Sequence, residues 1–278
     1  MPDKPTDNPT YESLRVAAGL KFADGLAWSR SGWLAIADGR QKKVLRLKAG
    51  DAGVSELMAS EGGAAGVAFD AQARLYVCET GARRVTRTDL KGKSETLAES
   101  FEGRKLNGPN DVTVRRDGHA YFTDPAFGSA VERRALDFYG VFHVSPKGEV
   151  AAVARWQTRP GGLALTADGR TLYVADADRH AVVAFEVGRN GEVDKPRDVV
   201  TGVAGVPGGM RTDAEGRLYV AARGIAVYSA AGKLERTMID STDCTNCTFG
   251  GAELEYLFVS ARADVYRIQA GVKGALQY

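Results

Sequence analysis

Short apolar stretches and polar turns alternate along this chain in one pattern that returns six times. One copy, GGLALTADGRTLYVAD, starts at Gly161. Gly162-Leu163-Ala164-Leu165 reads as a short apolar strand, and Ala167-Asp168-Gly169 reverses it, because Asp and Gly tolerate the backbone angles of a tight hairpin. Leu172-Tyr173-Val174 follows as a second strand rich in β-forming residues, and Val182-Val183-Ala184-Phe185 as a third. The other copies open at Asp24, Ala65, Asn110, Gly208 and Thr245, so successive openings lie 37 to 51 residues apart.

Repeats of that length, filled with strands too short to bury a face alone, stack around an axis. The pattern predicts an all-β fold, a six-bladed β-propeller with four-stranded antiparallel blades. The sixth copy runs out near Ile268, one strand short, and Leu14-Arg15-Val16 lies ahead of the first copy. Pairing the two closes the ring by an N-terminal strand and hides two sheet edges. Residues 1–13 then form a disordered or extended tail, and residues 14–278 a single propeller domain.

Composition narrows the partners. A net charge of +2 without a basic, aromatic-studded cluster argues against nucleic acid. No apolar stretch near the N-terminus suits export or membrane insertion, so the expected location is the cytoplasm, with no membrane partner. The expected partner is a small-molecule substrate, and the expected assembly a monomer or homodimer. Cys244-x-x-Cys247 lacks the second ligand pair of a structural zinc site. Cys247 occupies the apolar slot of its strand, as Leu163 and Val67 do elsewhere, and reads as a small buried hydrophobe.

In a propeller the innermost strands begin around one mouth of the axial channel. The repeats therefore nominate Asp24, Ala65, Asn110, Gly161, Gly208 and Thr245 as a ring, with Asp111 next to it. LNGPNDVTVRRDGHAYFTDPAFG (from Leu106) resembles the signature of the senescence-marker-protein/gluconolactonase/regucalcin-like family. CETGARRVTRTDLKG, RPGGLALTADGRTLYVADADRHAVVAFEV and CTNCTFGG resemble its other recurring segments, and the likeness runs from about Phe22 to Ile268. The resemblance implies a six-bladed propeller in which a divalent cation, often calcium, polarises a lactone or phosphoester. It implies ligands of Glu, Asn, Asn and Asp, and the matching positions here hold Asp24, Asn110, Gly161 and Gly208. Two ligands are thus replaced by glycine and one is shortened, which leaves Asp24 and Asn110 for a weakly bound divalent cation or none.

The candidate catalytic residues are Asp24, Asn110 and Asp111. Gly108, Tyr139, Trp156, Gly161, Gly208, Arg211 and Thr245 are candidates for lining the substrate pocket, with Phe127 on its wall. The glycines suggest extra volume at the pocket floor. His119, His143 and His180 fall off the ring, the first and last on the surface, and Asp38, Glu79, Asp124 and Asp176 end second strands as structural turns. Three functions stay open. The chain is a gluconolactonase-like enzyme acting on a lactone with weak or no metal, a metal-independent cyclase or isomerase with an enlarged pocket, or a non-catalytic ligand-binding propeller.

Overall fold

Six β-sheets, each of strands antiparallel to their neighbours, radiate from one axis in the computed structural model, which describes residues 11–49, 51 and 53–276. The first blade is Ala23–Ser29, Trp33–Asp38, Lys43–Lys48 and Ser55–Ala59, inside to outside. The second runs from Ala64–Phe69 to Ser94–Ala98, the third from Val112–Val114 to Val150–Trp156, and the fourth from Pro160–Leu165 to Val193–Thr201. In the fifth, Leu218–Tyr228 lies between Met210–Thr212 and Leu234–Asp243 and supplies both middle strands, turning at Gly224 (φ +85°). A single 3₁₀ turn, Gly128–Arg133, interrupts the strands of the described residues.

Ring closure follows the expectation. Ser13–Ala17 adds to the outer edge of the sixth blade, with Ser13 opposite Ile268, Leu14 opposite Arg267 and Ala17 opposite Val265. The closing strand therefore starts at Ser13, a residue the sequence placed in the tail. Residues 1–10 of that tail lie outside the described residues.

The core is not axial. It forms six apolar clusters, one at each contact between neighbouring blades. Strand alternation explains this directly, because successive side chains leave opposite faces of a sheet. Leu172 and Val174 pack toward the third blade, while Tyr173 and Ala175 between them pack toward the fifth. Turn chemistry also matches the sequence: Gly169 takes a φ of +65°, and Asp168 accepts the Arg170 N–H at 3.0 Å. Among the described residues no helix is long and apolar enough to cross a membrane.

The carboxylates ending the second strands are loop clamps. Asp38 accepts the N–H groups of Lys21, Phe22 and Gln41, and Asp124 those of Asn107 (2.7 Å) and Gly108 (2.6 Å). Each holds the segment that leads into an inner strand. They fix where the mouth residues begin.

Candidate functional site

Five of the six opening residues meet at one cavity of about 510 Å³. Asp24, Asn110, Gly161, Gly208 and Thr245 line it, together with Asp111 and Asn246 from the next position along two inner strands. Phe22, Phe127, Val206 and Pro207 give it apolar walls, and Arg223, Arg262 and Asp243 lie toward its rim. Arg262 pairs with Asp243 at 2.7 Å.

The glycines do not enlarge this space, contrary to the expectation from their size. A Cβ on Gly208 would lie 2.4 Å from the Thr245 carbonyl oxygen, and one on Gly161 3.0 Å from that of Pro207. Backbone from the next blade already fills the room a side chain would use. The following residues interlock as well: the Gly66 N–H donates to Asn110 O at 2.6 Å and the Gly209 N–H to Thr245 O at 2.9 Å. Glycine here permits close approach of backbones around the axis.

Asp111 belongs to that interlock. Its Oδ1 accepts the Val112 N–H at 3.0 Å, and its Oδ2 reaches across to the Leu163 N–H of the fourth blade at 2.9 Å. Thr123, whose hydroxyl accepts the Asp111 N–H, donates to Gly161 O at 2.8 Å. Both carboxylate oxygens are occupied, so Asp111 braces two blades rather than standing ready as a catalytic group. Asn246, diametrically opposite, similarly accepts the Cys247 N–H at 2.8 Å.

Asp24 is different. Neither carboxylate oxygen has a hydrogen-bond partner among the described residues, while its backbone carbonyl is held by the Ser260 hydroxyl at 2.7 Å. It is partly exposed to the cavity but enclosed by protein. Burial, reinforced by the negative charge of Asp111, pushes its carboxyl up to about 7. A carboxyl poised near neutrality in a cleft is what proton transfer needs.

Several sequence candidates fall elsewhere. Gly108 sits under the Asp124 clamp, where a Cβ would touch Ala130 and Thr80. Tyr139 lies under the Arg134 guanidinium and opposite Trp156 in register, and Trp156 stacks on Phe185 in the contact between the third and fourth blades. Those two aromatics lie on the third and fourth strands of their blade, away from the axis. Arg211 forms no ion pair with Asp24 or Asp111 within 4.0 Å; its guanidinium donates to Met210 O and Leu26 O and borders a second cavity. His119 is not a free surface residue, because its Nδ1 lies 2.6 Å from His143 Nε2. All three cysteines are free and buried.

The sequence missed Phe22, Val206, Pro207, Arg223, Asp243 and Arg262. Phe22 lies two residues before Asp24 and Val206-Pro207 directly before Gly208, so adjacency to the ring was the available signal. Arg223 and Asp243 pair in register on two strands of the fifth blade, and Arg262 follows the strand Tyr256–Ala261 of the sixth; only the folded ring brings them over the mouth.

The match that decides the lineage covers residues 22–263, which fit the SMP-30/gluconolactonase/LRE-like region. The chain belongs to this family. The gluconolactonase of Zymomonas mobilis is 25% identical across 93% of this chain and 81% of its own length. Human regucalcin is 26% identical, covering 93% and 83% respectively. The solved structure of a gluconolactonase from Xanthomonas campestris superposes with a TM-score of 0.85 at 29% identity, covering 93% of this chain and 89% of that one. A calcium-binding regucalcin from Agrobacterium tumefaciens shares the fold at 16% identity and a TM-score of 0.80.

The donors at this mouth do not fit a tightly held calcium. Such a hard cation takes six to eight oxygens, with carboxylates supplying most of the affinity. The mouth offers one uncommitted carboxylate, Asp24, and the Asn110 amide, while the other two family positions are glycine. Among the described residues no three His, Cys, Asp or Glu side chains cluster in a way that could hold a metal.

Proposed function

We propose that this chain is a lactone-directed hydrolase of the gluconolactonase type in which Asp24 serves as the general base. The observation that carries the reading is a lone uncommitted carboxylate, raised to about 7, facing a cavity shared with Asn110. The ionised carboxylate takes a proton from water as the oxygen adds to the lactone carbonyl. The ring C–O bond then breaks, and the departing oxygen receives that proton to give the open-chain hydroxy acid. Asn110 contributes an amide N–H to orient the carbonyl, and Phe22 and Phe127 hold the less polar side of the ring. No step runs through a cation.

Family membership favours a ring ester as substrate, and the fit of the donor set favours chemistry without a tightly bound ion. The same free carboxylate supports a second reading, a metal-independent isomerase or cyclase, because moving a proton on carbon needs no more than a base of this strength. One panel separates the two. Five- and six-membered lactones are assayed by acid release with and without chelator, using wild type and Asp24→Asn. Chelator-resistant turnover that falls about 10²-fold or more in Asp24→Asn is the expected result. Turnover that needs added calcium, or that survives Asp24→Asn unchanged, refutes the assignment. Proton exchange into a lactone that is never opened would move the protein to the second reading.

A further inference from the structure

The channel has a second, larger cavity on the opposite face, and the function proposed above makes no use of it. It measures about 980 Å³ and is lined by Ala27, Ala68, Thr113, Arg211 and Thr248. Each lies three residues beyond the opening residue of its strand, hence about 10 Å further along the axis at about 3.3 Å per residue. The two cavities share no lining residue. From the axis the space runs outward between the first and sixth blades, where Trp28 stacks on Phe258 with ring centroids 5.3 Å apart and Phe249 contributes a further ring.

Arg211 is the unexplained group. It is 4% exposed, and its charge faces small or hydroxyl-bearing side chains at the same level of the other blades. Two of its N–H groups reach backbone carbonyls, of Met210 at 2.7 Å and Leu26 at 3.1 Å, but Nε has no acceptor. No carboxylate among the described residues lies within 4.0 Å of it. Asp111 feels its charge, yet both Asp111 oxygens are taken by backbone N–H groups. The hydroxyls of Thr113 and Thr248, on the same level, make no hydrogen bond among the described residues. A buried cation without a counter-charge is costly, and here it borders a cavity with two further free donors.

We propose that this lower cavity binds a small molecule with an apolar body and a single anionic head. The head sits on Arg211 between the Thr113 and Thr248 hydroxyls, and the body lies against Trp28, Phe249 and Phe258. Charge-assisted bonds to a guanidinium supply the discrimination, and the aromatic wall supplies most of the buried area.

The probe is decanoate, compared with decanol and decyltrimethylammonium, by calorimetry and by tryptophan fluorescence, since Trp28 lines the cavity. Wild type should bind one decanoate per chain, with decanol weaker by about tenfold or more. Arg211→Gln should bring the two within about threefold. Thr248→Val, which keeps shape and loses only the hydroxyl, should weaken decanoate and not decanol, and it carries the test where Arg211→Gln fails to fold. Asp24→Asn should leave decanoate binding unchanged, which separates this site from the upper one. Decanol binding as tightly as decanoate, no saturable binding below about 1 mM, or decanoate affinity untouched by Arg211→Gln would each overturn the proposal.

Discussion

Replacing Asp24 with Asn tests the upper site through stability, without any substrate. The substitution preserves size and removes the charge. In the folded protein the Asp24 carboxyl is raised from its ordinary 3.8 to about 7, first by burial and then by Asp111. Between those values the native state holds a proton that the unfolded chain has released, so stability falls as pH rises across that interval. Well below pH 3.8 both states are protonated and the residue contributes no pH dependence, and well above pH 7 both are ionised and the loss is complete. At about 1.36 kcal/mol per pH unit, the full loss is at most about 4 kcal/mol.

The whole-protein curve will hide this effect, because the His119–His143 pair titrates nearby with the opposite sign. Burial and mutual repulsion lower His143 from 6.5 to about 4, and burial lowers His119 as well. Their neutral forms stabilise the fold above pH 6.5, and that contribution is lost as pH falls toward 4. The informative quantity is therefore the difference between variant and wild type, taken from urea unfolding at half-unit steps from pH 4 to 8.5. Asn at position 24 should become progressively more favourable relative to Asp as pH rises, levelling off above pH 7. Parallel curves for the two proteins would show that Asp24 ionises like an exposed carboxylate, and the general-base role would fall with it.

Other consequences follow from the same geometry. In a lactone assay, kcat/KM should rise with pH to a plateau above about 7, and Asp111→Asn should move that limb to lower pH by removing the repelling charge. Gly208→Asp, which restores a family ligand type, should destabilise the protein by about 1–3 kcal/mol because its Cβ meets the Thr245 carbonyl at 2.4 Å; calorimetry should find no tight calcium site in the product. Gly161→Asn, with its contact at 3.0 Å, should cost less than Gly208→Asp in the same urea titration. His143→Gln should flatten the acid side of the stability curve between pH 6.5 and 4, an effect of at most about 3 kcal/mol, read from the same unfolding series.

The architecture was legible because each blade is specified locally. Alternation tells Leu172 from Tyr173, and Asp168-Gly169 sets the hairpin, so the openings could be aligned and the mouth named from the sequence. What alignment cannot carry is the space between blades. A glycine at 208 states that a ligand side chain is missing, but not that the Thr245 carbonyl has moved into its place. Tyr139 and Trp156 looked like walls because their segments read as leading toward the mouth, yet they belong to the third and fourth strands of their blade, away from the axis. His119 was hidden differently: it occupies a turn, and its partner lies on a strand whose pairing places His143 beside Tyr121. Arg211 was named from the sequence as a lining residue of the pocket, but its level along the axis places it at the second cavity.

That level is the deciding variable in this channel. Inner strands run from one face to the other, so a shift of three positions carries a side chain from the upper cavity to the lower. Between them the second residues of the strands interlock, by glycine where backbones touch and by Asp111, whose carboxylate reaches the Leu163 N–H of the next blade, while the Asn246 side chain lies against Gly209. Asp111 is the one ionisable group in that layer: its charge helps to raise Asp24 above, while burial raises its own carboxyl and Arg211 below offsets part of that rise. The Asp24 carboxylate itself accepts no hydrogen bond among the described residues, so nothing there offsets the burial that raises it to about 7, which is the condition a general base near neutrality requires.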